Sequence, residues 1–429
     1  MPLRIISSAI LVVLLITANA RAQSPFNFRQ EEIENQLGVG YAVSLVDVNG
    51  DKKLDIVVVD TNRVLWYENP GWKRRIIIED QTKRDNVCIA PADIDGDGQI
   101  DFALGADWRP SDTVNSGTIQ WLKRGKTLDE KWTVYPIGTE PTVHRMRFAD
   151  FDADGRPELI VSPLHGRANR GPKYEGAGVR TLRYKLPAEP TKQENWKAEV
   201  INDDVHVTHN LWPTDLNRDG KLDLLLASFE GVQLIEQSGE GKWKRTRIGS
   251  GNQETSPNRG SSEIKQGRLR DKTDYLATIE PWHGFQVVVY TPPEGSGVQG
   301  SAAAASAQKG DGLWKRNLLD DELAWGHAVW CANLDNDADE ELIIGVRDQK
   351  SAEHRRGVRI YDPQLASAAA GKEQIQGDEI DWRRHLLDPG GVAVEDLAAA
   401  DLDGDGDTDI VAAGRATKNV RIYWNELKK

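Results

Sequence analysis

The sequence predicts an all-β chain folded as a seven-bladed β-propeller of four-stranded blades. Three observations carry that expectation: an Asp-rich loop repeated six times, a Trp-led strand downstream of each loop, and a blade count that closes on itself. At 429 residues the chain has room for several ordinary domains or one large repeat architecture, and composition alone does not separate these.

The loops share one spacing. Oxygen side chains stand at positions 1, 3, 5 and 9 in Asp47, Asn49, Asp51 and Asp55, and again in Asp93, Asp95, Asp97 and Asp101. The third and fourth sets are Asp150, Asp152, Asp154, Glu158 and Asp215, Asn217, Asp219, Asp223. The last two are Asn333, Asp335, Asp337, Glu341 and Asp401, Asp403, Asp405, Asp409. With position 7 free to offer its carbonyl, this arrangement suits Ca²⁺, and four of the six loops have Gly at position 6. A metal-free Asx-rich turn is the competing reading. Apolar, β-branched runs such as 56–59 and 224–226 follow the loops, so each loop leads into a strand and not into a helix.

Trp72, Trp132, Trp196, Trp243, Trp314 and Trp382 each open a short outer strand, and a further strand lies between loop and Trp. Units of roughly 45 to 70 residues with four strands are the pattern of propeller blades. Residues 266–274 occupy the loop register of a degenerate fifth blade without cation ligands, followed by strand 275–278. The seventh blade ends after its third strand, 420–425, and residues 28–33 match the spacing of the Trp382 strand. The N-terminal segment therefore supplies the missing outer strand and removes two open edges. Ser/Ala/Gly-rich 294–312 and 364–380 read as insertions in blades five and six.

Residues 1–22 read as an export signal: Arg4, the apolar run 5–16 and Ala20-Arg21-Ala22 before Gln23. The mature chain, 23–429, is expected to be secreted or periplasmic, with no later run approaching the about 20 apolar residues of a membrane span. Net charge is -13, and loss of Arg4 and Arg21 takes it to -15, which argues against nucleic acid as a partner. Cys88 and Cys331 fall in blades far apart around the ring and are expected to be buried thiols without a disulfide. No protein partner is indicated.

Six such loops in strand–loop–strand context resemble the FG-GAP or VCBS repeat family of secreted bacterial proteins and integrin α-chain propellers. The resemblance implies the propeller fold and several bound Ca²⁺ ions. It says little about activity, because this fold hosts many functions.

Six positions before the first ligand, the blades carry Tyr41, Val87, His144, His209, Gly260, His327 and Glu395. Matching positions of a ring converge on its axis, so His144, His209, His327 and Glu395 are candidate ligands for one Zn²⁺ or other transition metal. Structural histidines and a metal-free ligand pocket are the alternatives. On the same face the loops after the second strands bring Asp107, Trp108, Arg109, His165, Arg167, Glu230, Glu280, Trp282, His283, Arg347, Asp348 and Arg415. Aromatic plates among charged groups suit a carbohydrate. Trp108, Trp282, Arg167, Arg415 and Asp107 are the candidate ligand-binding residues.

The His-lined channel is also similar to the propeller domain of aldos-2-ulose dehydratase-like sugar lyases, although no cupin domain follows. That similarity implies metal-assisted proton abstraction beside a sugar carbonyl, with His283, His165 or Glu280 as base and Arg109 or Arg347 steadying the enolate. The rival reading is a non-catalytic glycan- or protein-binding scaffold. No Ser-His-Asp, P-loop or dinucleotide motif supports acyl transfer, NTP use or nicotinamide chemistry.

Overall fold

The computed structural model describes residues 25–239, 241–293, 312–351, 355–365 and 380–427. The export signal at 1–22 and nearly all of both expected insertions lie outside the described residues. Seven four-stranded antiparallel sheets make up the molecule. Their inner strands are β2 (Ala42–Val46), β6 (Cys88–Ala92), β10 (Val143–Ala149), β14 (Asn210–Thr214), β18 (Lys265–Arg268), β22 (Gly326–Ala332) and β26 (Val394–Ala400). Each pairs with a second strand: β3 (Asp55–Asp60), β7 (Asp101–Ala106), β11 (Glu158–Pro163), β15 (Asp223–Ser228), β19 (Asp274–Glu280), β23 (Glu341–Val346) and β27 (Asp409–Gly414). Every residue of those second strands is buried, because blades cover both of their faces. Continuous apolar runs, not alternation, were the right signal there.

Ring closure follows the expectation. β1 (Phe28–Glu34) pairs antiparallel with β28 (Val420–Asn425), from Phe28 opposite Asn425 to Glu34 opposite Val420. Trp424 Nε1 donates to Glu31 at 2.8 Å and Arg421 Nε to Glu32 at 3.2 Å, so the N-terminal strand is sewn by side chains as well as backbone.

A latch between blades was not foreseen. Tyr67, Tyr361 and Tyr423 are buried third-strand tyrosines whose hydroxyls donate to Glu34, Asp320 and Asp388, acids at the ends of the preceding blade's outer strand. The expected loop at 266–274 needs correction: residues 265–268 are strand, and the turn is only 269–273, closed by Leu269 N–H donating to Thr273 O at 2.9 Å. Cys88 is a buried free thiol as expected, whereas Cys331, also free, is half-buried. No helix among the described residues is long and apolar enough to cross a membrane.

Candidate metal and carbohydrate site

Strand pairing defines the channel-mouth register without reference to the loops. Ala149 opposes Glu158 and Arg145 opposes Ser162 in blade three; Arg268 opposes Asp274 and Lys265 opposes Ala277 in blade five. Counting back from these pairs, the blade-five equivalent of His144 is Glu263, not Gly260. The shortened turn of blade five moved the count by three. The ring is therefore Tyr41, Val87, His144, His209, Glu263, His327 and Glu395. In blades three, six and seven the pairing register shifts across His144, His327 and Glu395. Such a bulge re-aims its side chain, here toward the axis.

His209, fully buried, lies with its ring centroid 4.5 Å from His144, 5.1 Å from His327 and 4.2 Å from His283. His283 comes from the loop after β19 and holds a left-handed φ of 49°, as does neighbouring Trp325 at 65°. Bulky residues in that region mark a backbone held by its surroundings, a feature concentrated at functional sites. One nitrogen from each of His209, His283 and His327 lies within 4.8 Å of the other two.

The tautomers are partly set by neighbours. His327 Nδ1 sits 2.6 Å from the Glu395 carbonyl, an obligate acceptor, so Nδ1 carries the proton and Nε2 keeps its lone pair. His209 Nδ1 is 2.6 Å from Glu263 Oε1, close though poorly aligned for an N–H donor. Both contacts match the outer support that orients metal-bound imidazoles. Burial first, and then the neighbouring histidines, hold His144, His209 and His283 well below the usual imidazole range. Neutral imidazole is the ligating form.

Both ring nitrogens of His144, His209 and His283 are buried without an aligned hydrogen-bond partner, His209 Nδ1 despite the Glu263 oxygen at 2.6 Å. Buried unpartnered polar atoms are uncommon, and a metal ion is one group that satisfies them. Three histidines with an open fourth position form the donor set of a catalytic zinc-type site. Glu395 stands beside it: Oε1 accepts from Arg415 at 2.6 Å and lies 3.8 Å from His327 Nε2, while Oε2 lacks a hydrogen-bond partner.

His283 also lines a cleft of about 530 Å³ shared with Trp282, Phe285, Trp325, Asp348 and Lys350. Trp282 stacks on His283 at 4.1 Å, and the Arg347 guanidinium lies 4.7 Å over Trp325. The metal-type cluster and the aromatic cleft thus share one imidazole.

Other predicted residues are placed differently. His144 stacks on Trp108 at 4.7 Å and lies beside the histidine triad, not in it. His165 stacks on Tyr174 at 3.7 Å, and burial pushes it down to about 3. Glu280 is fully buried and accepts from Ser261, Thr278, Tyr290 and Arg316, which leaves a base no room to work. Its role is structural, and His283, expected as a base, stands as a ligand candidate. Arg109 pairs with Asp107 and Asp112, and Arg167 with Glu140, so these outlying groups satisfy one another. Trp325, two residues before His327, was overlooked; its place in the sequence was the available signal.

At the opposite end, each Asp-rich loop is pinned by the buried apolar residue at its second position: Val48, Ile94, Phe151, Leu216, Leu334 or Leu402. In five of the six loops the ninth-position carboxylate accepts that residue's N–H, for example Asp55 from Val48 at 2.9 Å and Asp409 from Leu402 at 3.0 Å. Burial pushes Asp55, Asp101 and Asp409 up to about 6 and Asp223 up to about 7. Oxygens from Asp93, Asp95 and Asp101 converge within 4.8 Å, as do those of Asp401, Asp403 and Asp409.

Comparison with known proteins agrees with this architecture. Residues 116–293 match the model of the aldos-2-ulose dehydratase β-propeller domain, and residues 47–104 match an FG-GAP-like repeat. The first span contains His209, Glu263 and His283 but ends before His327. Aldos-2-ulose dehydratase of Phanerodontia chrysosporium is 25% identical over 260 residues, 57% of this chain and only 27% of that protein. A solved structure of BBS1N in complex with ARL6DN superposes with a TM-score of 0.52 at 12% identity, covering 94% of this chain and 98% of that one, which is a likeness of fold.

Proposed function

We propose that this propeller is a carbohydrate-acting protein that holds one transition-metal ion on His209, His283 and His327 and promotes elimination beside a sugar carbonyl. The convergence of two buried imidazoles and the half-buried His283 at the wall of an aromatic cleft carries the reading. The similarity to aldos-2-ulose dehydratase supports the substrate class.

An ion of the zinc type supplies, when bound, a Lewis acid toward a carbonyl oxygen. The chain's own residues orient the sugar: Trp282 and Trp325 offer faces for pyranose C–H groups, and Asp348 and Lys350 offer hydroxyl partners at the rim. Glu395 Oε2, without a hydrogen-bond partner at the mouth, is the oxygen to accept a proton, with Arg347 3.9 Å away to steady the charge that develops. Calcium in the Asp-rich loops, braced against the core at the other face, belongs to the same proposal, as does export of the chain.

Elemental analysis after mild EGTA treatment is expected to leave about one transition metal per chain, and His209→Ala with His327→Ala to remove it from a folded protein. A screen of keto-sugars and oxidised glycosides should then yield ultraviolet-absorbing products only with the loaded form. Calcium alone, with no turnover, would leave a glycan-binding module.

A further inference from the structure

The channel has a second chemically unusual level below the histidines. Arg147, Trp212 and Trp330 each stand three residues beyond the mouth position of their own strand, roughly 10 Å down the axis at about 3.3 Å per residue. Lys265, two residues beyond Glu263, joins them. Its ammonium lies 3.7 Å over the Trp212 ring and 4.8 Å over Trp330, and the two indoles meet edge to face at 5.8 Å.

Charge there is not balanced. Lys265 is 3% exposed, yet among the described residues no carboxylate lies within salt-bridge distance and no acceptor takes a hydrogen bond from it. Arg147 donates to the Met146 carbonyl at 2.8 Å and pairs with no acid. The nearby acids are turned elsewhere. Glu263 faces His209, Asn210 and Arg145, the last at 3.8 Å; Asp396 accepts from Val43 N–H at 3.0 Å and lies 3.6 Å from Arg145. Arg145 Nε is itself buried without a partner. Three cations thus face two carboxylates, and the excess positive charge falls on Lys265 and Arg147.

We infer that this level of the channel is an oxyanion site, in which Arg147 and Lys265 bind a small carboxylate or sulfate-like group beside the Trp212 and Trp330 pair. Leaving the buried Lys265 ammonium without a counter-charge is costly, half-buried Arg147 adds a second unpaired charge beside it, and an anion removes that cost. Arg supplies a planar fork and Lys a point charge, a pairing suited to carboxylate or tetrahedral oxyanions. Burial and the Arg147 charge pull Lys265 down to about 7, in keeping with a missing anion. The site does not depend on the histidine triad or on the elimination chemistry.

Calorimetric titration of the intact calcium-loaded protein with sulfate and, separately, glucuronate at neutral pH tests it. Sulfate reports the tetrahedral group and glucuronate the sugar carboxylate. One saturable equivalent is expected for at least one probe, weakened about tenfold or more in Arg147→Gln and in Lys265→Met but largely kept in Lys265→Arg. His327→Ala should leave it unchanged, so loss of the metal reading would not be mistaken for loss of this one. Independently of any variant, the bound anion should slow acetylation of Lys265 in the native protein, read by mass spectrometry. Absence of saturable binding of either probe at tens of millimolar, or binding undiminished in both charge-removing variants, overturns the inference.

Discussion

Glu263→Gln separates a metal-holding histidine cluster from a merely packed one. Glu263 Oε1 lies 2.6 Å from His209 Nδ1 and 3.8 Å from Arg145, while Asp396 lies 3.6 Å from the same arginine and is not in contact with His209. The two carboxylates therefore perturb Arg145 comparably, and only one supports a candidate ligand. Replacing an outer partner of a metal-bound histidine costs about 10- to 100-fold in metal affinity, about 1.4 to 2.7 kcal/mol. Glu263→Gln should lose that much zinc affinity, and Asp396→Asn much less. Competition with a chromophoric chelator at neutral pH measures both, with circular dichroism confirming the fold. Equal losses in the two variants, or no loss in Glu263→Gln, would refute the view that Glu263 holds His209 for a metal.

Trp282→Ala removes the ring stacked on His283 and should weaken glycan affinity about tenfold while metal content stays near one per chain, as dialysis and elemental analysis would record. His165 is held near 3 when folded against about 6.5 when unfolded, so the unfolded chain binds the extra proton and stability falls as pH drops below about 6.5. His165→Gln should reduce that slope by up to about 1.4 kcal/mol per pH unit, measured by urea unfolding from neutrality toward pH 4. In blade two, Lys123 pairs with Asp95 and Asp97; in blade three, Lys185 pairs with Asp152; the same third-strand position holds Glu68, Glu236 and Asp362 in blades one, four and six. Lys123→Met should raise calcium occupancy in native mass spectrometry, and an unchanged count would show that the lysine does not compete with the ion. Tyr423→Phe, which strips the Asp388 latch, should cost about 1 to 3 kcal/mol in chemical unfolding without altering metal content.

The fold was legible because the Asp-rich loops share one length and each has its own apolar pin, features local enough to read from adjacent residues. Counting from those loops places His144, His209, His327 and Glu395 at one level, and the pairing registers agree in all four blades. The same method misses Glu263 for a physical reason. Blade five lacks the Asp-rich set and its turn is only 269–273, so a count that assumes full length lands three residues early on Gly260.

His283 poses a different difficulty. Its inward position depends on a left-handed backbone, and the Trp282, Trp325 and His327 rings packed around it come from two blades. No residue pattern within residues 280–285 encodes those contacts. Likewise, Arg109, Arg167 and Glu280 had the chemistry of a site but satisfy partners close by, the first two in loops and Glu280 on Arg316 of its own blade. A charged residue near a channel mouth becomes a functional candidate only when its partners are counted. By that count the mouth keeps the unpartnered nitrogens of His144, His209 and His283 with Glu263 Oε1 and Glu395 Oε2, and the level below keeps Lys265, held by indole faces and by no carboxylate. The mouth therefore carries buried polar atoms without partners and the level below carries cations without a counter-charge, and ligands at both are the economical physical explanation.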